Sequence, residues 1–301
     1  MGNPSIAVLM TCHNRRKTTL SCLAALHKQS LPFHVYLVDD GSQDGTTQAV
    51  KEHYPNTHII PGDGNLFWVG GMRLAFAAAL AKEYEFYLWL NDDTILTLEA
   101  LEKLTHTYNT VKTKVANHQH SSAIIVGSVQ DPISGELTYG GRKKGGKWYY
   151  KKLLPVIPTH EPQPCSTMQG NIVLIPHDVA TAVGNIDAAF VHTFGDLDYG
   201  LRARKLGYSI WVAPSYLGTC EQNSVINSWA DTRLPWHQRL IKVQQIKNFP
   251  IKAWTTYLHR HAGALWFIRW FFPYIRALIG YRQLENSPTF QSSNRQQVNT
   301  E

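Results

Sequence analysis

The chain has 301 residues, carries 29 Lys and Arg against 22 Asp and Glu for a formal charge of +7, and is 44% hydrophobic. Those values exclude a disordered polymer and a disulfide-stapled miniprotein, and no repeat of solenoid or propeller spacing is visible; one large domain or two closely packed halves is expected. The basic excess favours an anionic partner (nucleotide, phospholipid surface or nucleic acid), while Cys12, Cys22, Cys165 and Cys220 lack the paired spacing of a zinc site or disulfide framework and predict reduced thiols in a cytosol.

No basic and apolar leader precedes the first strand, Ile6 to Met10, so a secretory signal is not predicted. That strand turns polar at Thr11-Cys12-His13-Asn14-Arg15. Leu20, Leu23 and Ala24 recur at helical spacing within Thr18 to Lys28. Val35 to Val38 is a second strand ending in Asp39-Asp40-Gly41-Ser42, with a helix from near Thr47 and a short strand from His58 to Ile60. The Asn/Gly-rich run Gly64 to Arg73 then leads into an alanine-rich helix, Met72 to Lys82. Phe86 to Leu90 is an uncharged strand that delivers Asn91-Asp92-Asp93-Thr94, and a helix covers Glu99 to Tyr108. Strands separated by helices predict a right-handed, largely parallel α/β sheet.

Beyond Lys114 the pattern becomes mixed. Ser121 to Val129 reads as a strand, Pro132 to Gly135 as a turn, and Gly140 to Lys147 as a flexible basic loop. A strand at Ile172 to Ile175 and a helix from Pro176 to Val183 follow. A helix from Asp196 to Leu206 is closed by Gly207, and a strand from Ser209 to Val212 is stopped by Pro214. From Trp236 the chain is helical, basic and aromatic. Ala264 to Arg276 is too short and too charged to span a bilayer; it suits either a helix in the headgroup region or one packed on the core. Residues after Asn286 are polar and expected to be disordered. The expected division is 1–115, 116–235 and a helical, membrane-associated 236–301.

Two acidic strand ends, Asp39-Asp40 and Asp92-Asp93, are expected at the carboxyl edge of the sheet, where open α/β sheets bind ligands. Hard oxygen ligands there suit Mg²⁺ or Mn²⁺ with a phosphate compound. The plainer alternative for the second end is a helix N-cap at Asp93 or Thr94.

Val38-Asp39-Asp40-Gly41-Ser42, Leu90-Asn91-Asp92-Asp93-Thr94 and Gly195-Asp196-Leu197-Asp198-Tyr199-Gly200-Leu201-Arg202, in that order, resemble the nucleotide-binding, metal and catalytic-base motifs of the family 2 glycosyltransferases. The resemblance covers about Ser5 to Ser224. It implies a GT-A fold and an inverting transfer from a nucleotide-diphosphate sugar to a glycan or lipid-linked acceptor, in bacterial surface polysaccharide assembly. By position it implies Asp196 as base, Asp93 with Asn91 as ligands of Mg²⁺ or Mn²⁺, and Thr11, Asn14, Arg15, Asp39, Asp40, Asn65, Arg73 and Asp92 around the donor nucleotide. Gly170, Asn171 and Asp198 are expected on the acceptor side. Asp196, opening a helix, is expected to be kept ionised by the N-terminal amides.

Asn91-x-Asp93-Thr94 is the rhamnosyltransferase-like form and points toward a deoxythymidine-diphosphate rhamnose donor. Many relatives place a metal-binding His where this chain has Cys220, with Glu221 the nearest substitute. Trp68 is expected either to wall the donor sugar or to pack in the core. A cytoplasmic protein, peripheral on the inner face of the plasma membrane and without nucleic acid, is the expected setting. A nucleotidyltransferase remains open, although the first strand lacks its Gly-rich phosphate loop. A non-catalytic sugar- or nucleotide-binding protein remains open too.

Overall fold

In a computed structural model, residues 5–115, 120–145, 152–223 and 226–280 are described. His118, part of Gly140 to Lys147 and the tail after Asn286 lie outside them. The chain forms two compact units, 1–221 and 222–301.

The first unit opens with β1 (Ile6–Cys12), α1 (Arg16–Leu26), β2 (Phe33–Asp39), α2 (Thr46–His53), β3 (His58–Pro61), α3 (Phe67–Leu80) and β4 (Phe86–Leu90). It continues through β5 (Ile95–Leu96), α4 (Ala100–Lys114), β6 (Ala123–Gln130), β7 (Leu137–Tyr139), β8 (Gly141–Gly145), β9 (Lys152–Pro155), β10 (Gln163–Cys165) and β11 (Thr167–Met168). β12 (Ile172–Pro176), α5 (His177–Val183), α6 (Gly195–Lys205) and β13 (Ser209–Thr219) complete it.

The main sheet has the order β10-β13-β6-β12-β4-β1-β2-β3, with β5 pairing with β13 and β7 with β6; β11-β8-β9 form a second sheet. β3, β2, β1 and β4 run parallel. β12 runs antiparallel to both β4 and β6. β1, β4 and β12 are buried along their whole length, as expected of uninterrupted apolar runs covered on both faces. Tyr87, Trp89, Phe76 and Tyr199 form an edge-to-face aromatic cluster that fixes α3 and α6 on one side of β4.

Three elements depart from the sequence reading. α3 begins at Phe67, so Gly70-Gly71 lies inside a helix. A methyl group at Gly71 would sit 2.1 Å from Thr11 Oγ1, so glycine lets α3 lie directly on β1. The start of the expected basic loop is a strand, β8, paired with β9 and β11. Finally, β13 runs through Pro214 to Thr219. Its register against β6 shifts between Val212 and Tyr216, and Ser215 takes a left-handed φ of 61°. A bulge absorbs the proline's missing donor, so the strand bends instead of ending.

The second unit contains α7 (Trp236–Val243), α8 (Ile251–His261), α9 (Trp266–Trp270) and α10 (Phe272–Ile279). Trp254 Nε1 donates to the Trp270 carbonyl at 3.1 Å, and Trp270 Nε1 donates to Thr255 Oγ1 at 2.8 Å. Those tryptophans therefore hold this unit together. Among the described residues no helix is long and apolar enough to cross a membrane.

Candidate functional site

The carboxyl end of β2 organises two loops. Asp39 Oδ1 accepts the Ser42 N–H at 3.0 Å, and its Oδ2 accepts the Thr47 hydroxyl. Asp40 accepts the N–H groups of Gly64 and Phe67 at 2.8 and 2.9 Å. Both carboxylates are buried, and their hydrogen bonds hold the turn after β2 and the loop before α3. His13 Nδ1 faces the Asp40 carbonyl, which only accepts, so Nδ1 carries the proton and Nε2 accepts from Asn14 Nδ2 at 3.0 Å. Asn14, with φ 51°, also accepts the Gln43 N–H at 2.7 Å and joins the β1 end to the β2 end.

Arg15 leaves the same β1 end and reaches the β4 end. Its Nη1 lies 3.1 Å from Asp92 Oδ1 and its Nη2 2.9 Å from Asp93 Oδ2. Asp92 is buried and accepts from Thr19 Oγ1 at 3.3 Å; burial pushes its carboxyl up to about 7 against the pull of Arg15. Asp92, expected beside the nucleotide, thus anchors Arg15 from below. Asp93 is more open, and its Oδ1 accepts the Cys220 thiol at 3.5 Å. Burial, then the Asp93 charge, pushes that thiol up to about 12, so Cys220 stays protonated.

Asn91, expected as a metal ligand beside Asp93, is held by two neighbours. Its side-chain oxygen accepts the Trp68 indole N–H at 2.7 Å. Its backbone N–H donates to the Asn171 carbonyl at 3.1 Å, and Asn171 Nδ2 donates toward Cys220 Sγ at 3.6 Å. Asn171, expected on the acceptor side, is buried and ties the β4 end to the β13 end. Glu221 is exposed, and among the described residues no three His, Cys, Asp or Glu side chains cluster as a metal site.

Asp196 lies in the first turn of α6, directly after Phe194, which holds an unfavourable left-handed φ of 69°. Its Oδ2 accepts the Gly170 N–H at 3.1 Å and its Oδ1 the Leu197 N–H at 2.8 Å. Burial raises its pKa above the ordinary carboxylate range, outweighing those amides and the nearby Arg142. The expected depression by the helix terminus is therefore overridden. A methyl group at Gly170 would lie 2.4 Å from the Trp68 ring, which places that indole between Asn91 and Asp196. Gly195 packs on Val69 in the same way, and the Val69 N–H donates to the Val191 carbonyl at 3.0 Å. The N-terminus of α3 and the start of α6 are thereby pinned together.

Asp93, Cys220, Asn171, Asn91, Trp68, Gly170 and Asp196 consequently form one continuous set of contacts. Other expected residues stand apart from it. Asp198 is fully buried and paired with Arg202 at 2.8 Å; Arg202 also donates to the Val183 and Asn185 carbonyls. Asp198, expected on the acceptor side, braces α6 through Arg202. Arg73 is exposed in the second turn of α3, away from the helix terminus where an anion would be favoured. Thr11 is buried under Gly71, and exposed Asn65 turns back on Asp63. Trp68, expected either at the sugar or in the core, lies within this set, and Arg142, from the expected basic loop, donates through Nε to Gln169 Oε1 at 2.9 Å beside Asp196.

Comparison with known proteins matches residues 7–170, more than half of the chain, to the model of "Glycosyl transferase family 2". Uncharacterized proteins of Mycobacterium tuberculosis and Mycobacterium bovis are each 27% identical over 185 residues, 58% of this chain. The chain spans 64% of the length of those relatives. Among solved structures, Staphylococcus aureus TarS gives a TM-score of 0.53 at 14% identity, over 91% of this chain and 81% of that one. A mannosyltransferase from Pyrobaculum calidifontis, in complex with GDP-Man and Mn²⁺, gives 0.54 at 12% over 100% and 77%. GalNAc-T7 with UDP, GalNAc and Mn²⁺ gives 0.59 at 12% over 91% and 55%. These likenesses show a GT-A fold.

Proposed function

Because the chain belongs to glycosyl transferase family 2, we propose that it is an inverting transferase in which Asp196 removes a proton from an acceptor hydroxyl. The observation that carries this reading is the continuity of contacts from Asp196 through Trp68 and Asn91 to Asp93. In that arrangement the acceptor oxygen attacks the anomeric carbon while the bond from that carbon to the diphosphate oxygen breaks. The hydroxyl proton passes to Asp196, and the configuration at the sugar inverts. A raised pKa makes Asp196 a stronger base, and Arg142 beside it limits how far the carboxyl shifts. Trp68 supplies a flat wall for the sugar, held by Asn91. Asp39, Asp40 and Asn14 shape the nucleotide cavity through the loops they pin.

Asp93 would share a divalent cation with phosphate oxygens of the donor, which would supply most of the ligands because Asn91 Oδ1 already accepts from Trp68 and Cys220 is a neutral thiol. Mg²⁺ or Mn²⁺ bound there would neutralise charge on the departing diphosphate. The Asn91-x-Asp93-Thr94 form supports a deoxythymidine-diphosphate rhamnose donor, and a glycan or lipid-linked acceptor of bacterial surface polysaccharide assembly follows from the same resemblance. The second unit supports peripheral attachment to an anionic bilayer. Phe267, Phe271, Ile275 and Ile279 are exposed there, in a segment that also carries Arg269 and Arg276.

Incubation with a panel of nucleotide sugars tests the reaction. Release of nucleoside diphosphate with an inverted glycoside supports transfer; pyrophosphate release identifies a nucleotidyltransferase and overturns it. Cosedimentation with phosphatidylglycerol but not phosphatidylcholine vesicles is the outcome expected of the second unit, and equal recovery with both refutes an electrostatic attachment.

A further inference from the structure

The contacts of Asp93 carry a consequence for how a cation enters. One oxygen faces the Arg15 guanidinium at 2.9 Å and the other faces the Cys220 thiol at 3.5 Å. Arg15 is no freely swinging surface cation. It is anchored through Nη1 on buried Asp92, itself held by Thr19, so the guanidinium is fixed over Asp93. Its side chain is nevertheless 43% exposed, which leaves part of the guanidinium open to solvent.

We infer that Arg15 closes Asp93 to a divalent cation until a nucleoside diphosphate is present, so that cation and donor occupy the site together. The inference rests on the transferase reading above and deepens it. A cation approaching Asp93 alone meets a fixed positive charge and finds no second carboxylate to share it, because Asp92 is buried beneath Arg15. A diphosphate changes both conditions. Its oxygens accept from the guanidinium's planar array of donors, and they supply the ligands the protein lacks. Arg15 is accordingly a positioning residue, poised between the carboxylate and the phosphates.

Mn²⁺ binding to the full-length chain, followed by the free-ion electron paramagnetic resonance signal, tests this without turnover. Arg15→Gln is expected to bind Mn²⁺ alone at least tenfold more tightly than wild type. Arg15→Lys, which keeps the charge, should stay near wild type, and Arg15→Gln/Asp93→Asn should lose the gain. Wild type should take up Mn²⁺ when deoxythymidine diphosphate is added, beyond a protein-free control. Folded Arg15→Gln with wild-type affinity for Mn²⁺ overturns the inference. So does a gain that survives in the double variant, which would place the ion elsewhere. If wild type binds none of deoxythymidine, uridine and guanosine diphosphate with Mn²⁺, the transferase reading fails, while the comparison of Arg15 variants without nucleotide still decides the closing role.

Discussion

Replacing Gly170 with Ala perturbs the centre of the site without removing any polar group. The added methyl would lie 2.4 Å from Cη2 and Cζ2 of Trp68, whereas carbon atoms settle at about 3.5 Å or more, so the indole must withdraw by about 1 Å. A shift of that size carries the 2.7 Å bond from Trp68 to Asn91 beyond hydrogen-bonding length. Overpacking costs about 1–3 kcal/mol, and the lost hydrogen bond adds about 1 kcal/mol. Misplacing a wall of the sugar site by about 1 Å should slow transfer about 100-fold. The Gly170 N–H and its bond to Asp196 survive, so the loss is specific to Trp68. Thermal melting and steady-state release of nucleoside diphosphate should be measured for Gly170→Ala, Trp68→Ala and the double variant. With Trp68 already truncated, the second substitution should cost little. Full and additive losses in the double variant would refute the argument.

Further expectations concern the charges around α6 and the second unit. Asp196→Asn should lower turnover by about 10²–10⁴-fold while leaving nucleotide binding intact in a dialysis assay. Because burial raises the Asp196 pKa and only the ionised form accepts a proton, activity should fall with decreasing pH at a value above the ordinary carboxylate range. Arg142→Gln removes a charge that favours ionisation, so the acid limb of its pH–rate profile should move to higher pH. Asp198→Ala leaves Arg202 uncompensated beside a fully buried position and should cost about 3 kcal/mol in chemical denaturation. Arg233 holds the Asp231 carboxyl below its usual range. That pair therefore contributes stability above the unfolded pKa and loses it as pH falls through the lowered one. Asp231→Asn should accordingly melt lower than wild type at neutral pH, with the gap closing in strong acid.

Much of the fold was legible because local and global preferences agree. β1, β2 and β4 read as apolar runs because both of their faces are covered, and the residues where each run turns polar mark the edge at which Arg15, Asp39 and Asp93 emerge. The readings that failed are those decided by distant neighbours. Pro214 signals a stop, yet the bulge at Ser215 lets β13 continue and bring Cys220 to Asp93. Gly70-Gly71 signals a break, yet close packing on Thr11 makes glycine the residue that fits inside α3. That same shift of the helix start carries Arg73 away from the terminus. Motif position separated Asp196 from Asp198 but not their surroundings: Arg202 sequesters the second, while Gly170 and Trp68 flank the first. Arg142 sat in a run of cations that composition reads as a solvated loop, and only the β8–β11 pairing sets it beside Gln169.

The placement of β12 has a bearing on how the chain can be divided. This reversed strand is wedged between β4 and β6, hydrogen-bonded to both, although it is contributed by residues far downstream of either. A fragment truncated after α4 would expose the flank of β4, five apolar residues with an open row of backbone donors and acceptors that invites pairing with other chains. The segment from β1 to α4 is thus not a portable module: excision or grafting has to carry β6 and β12 along with it.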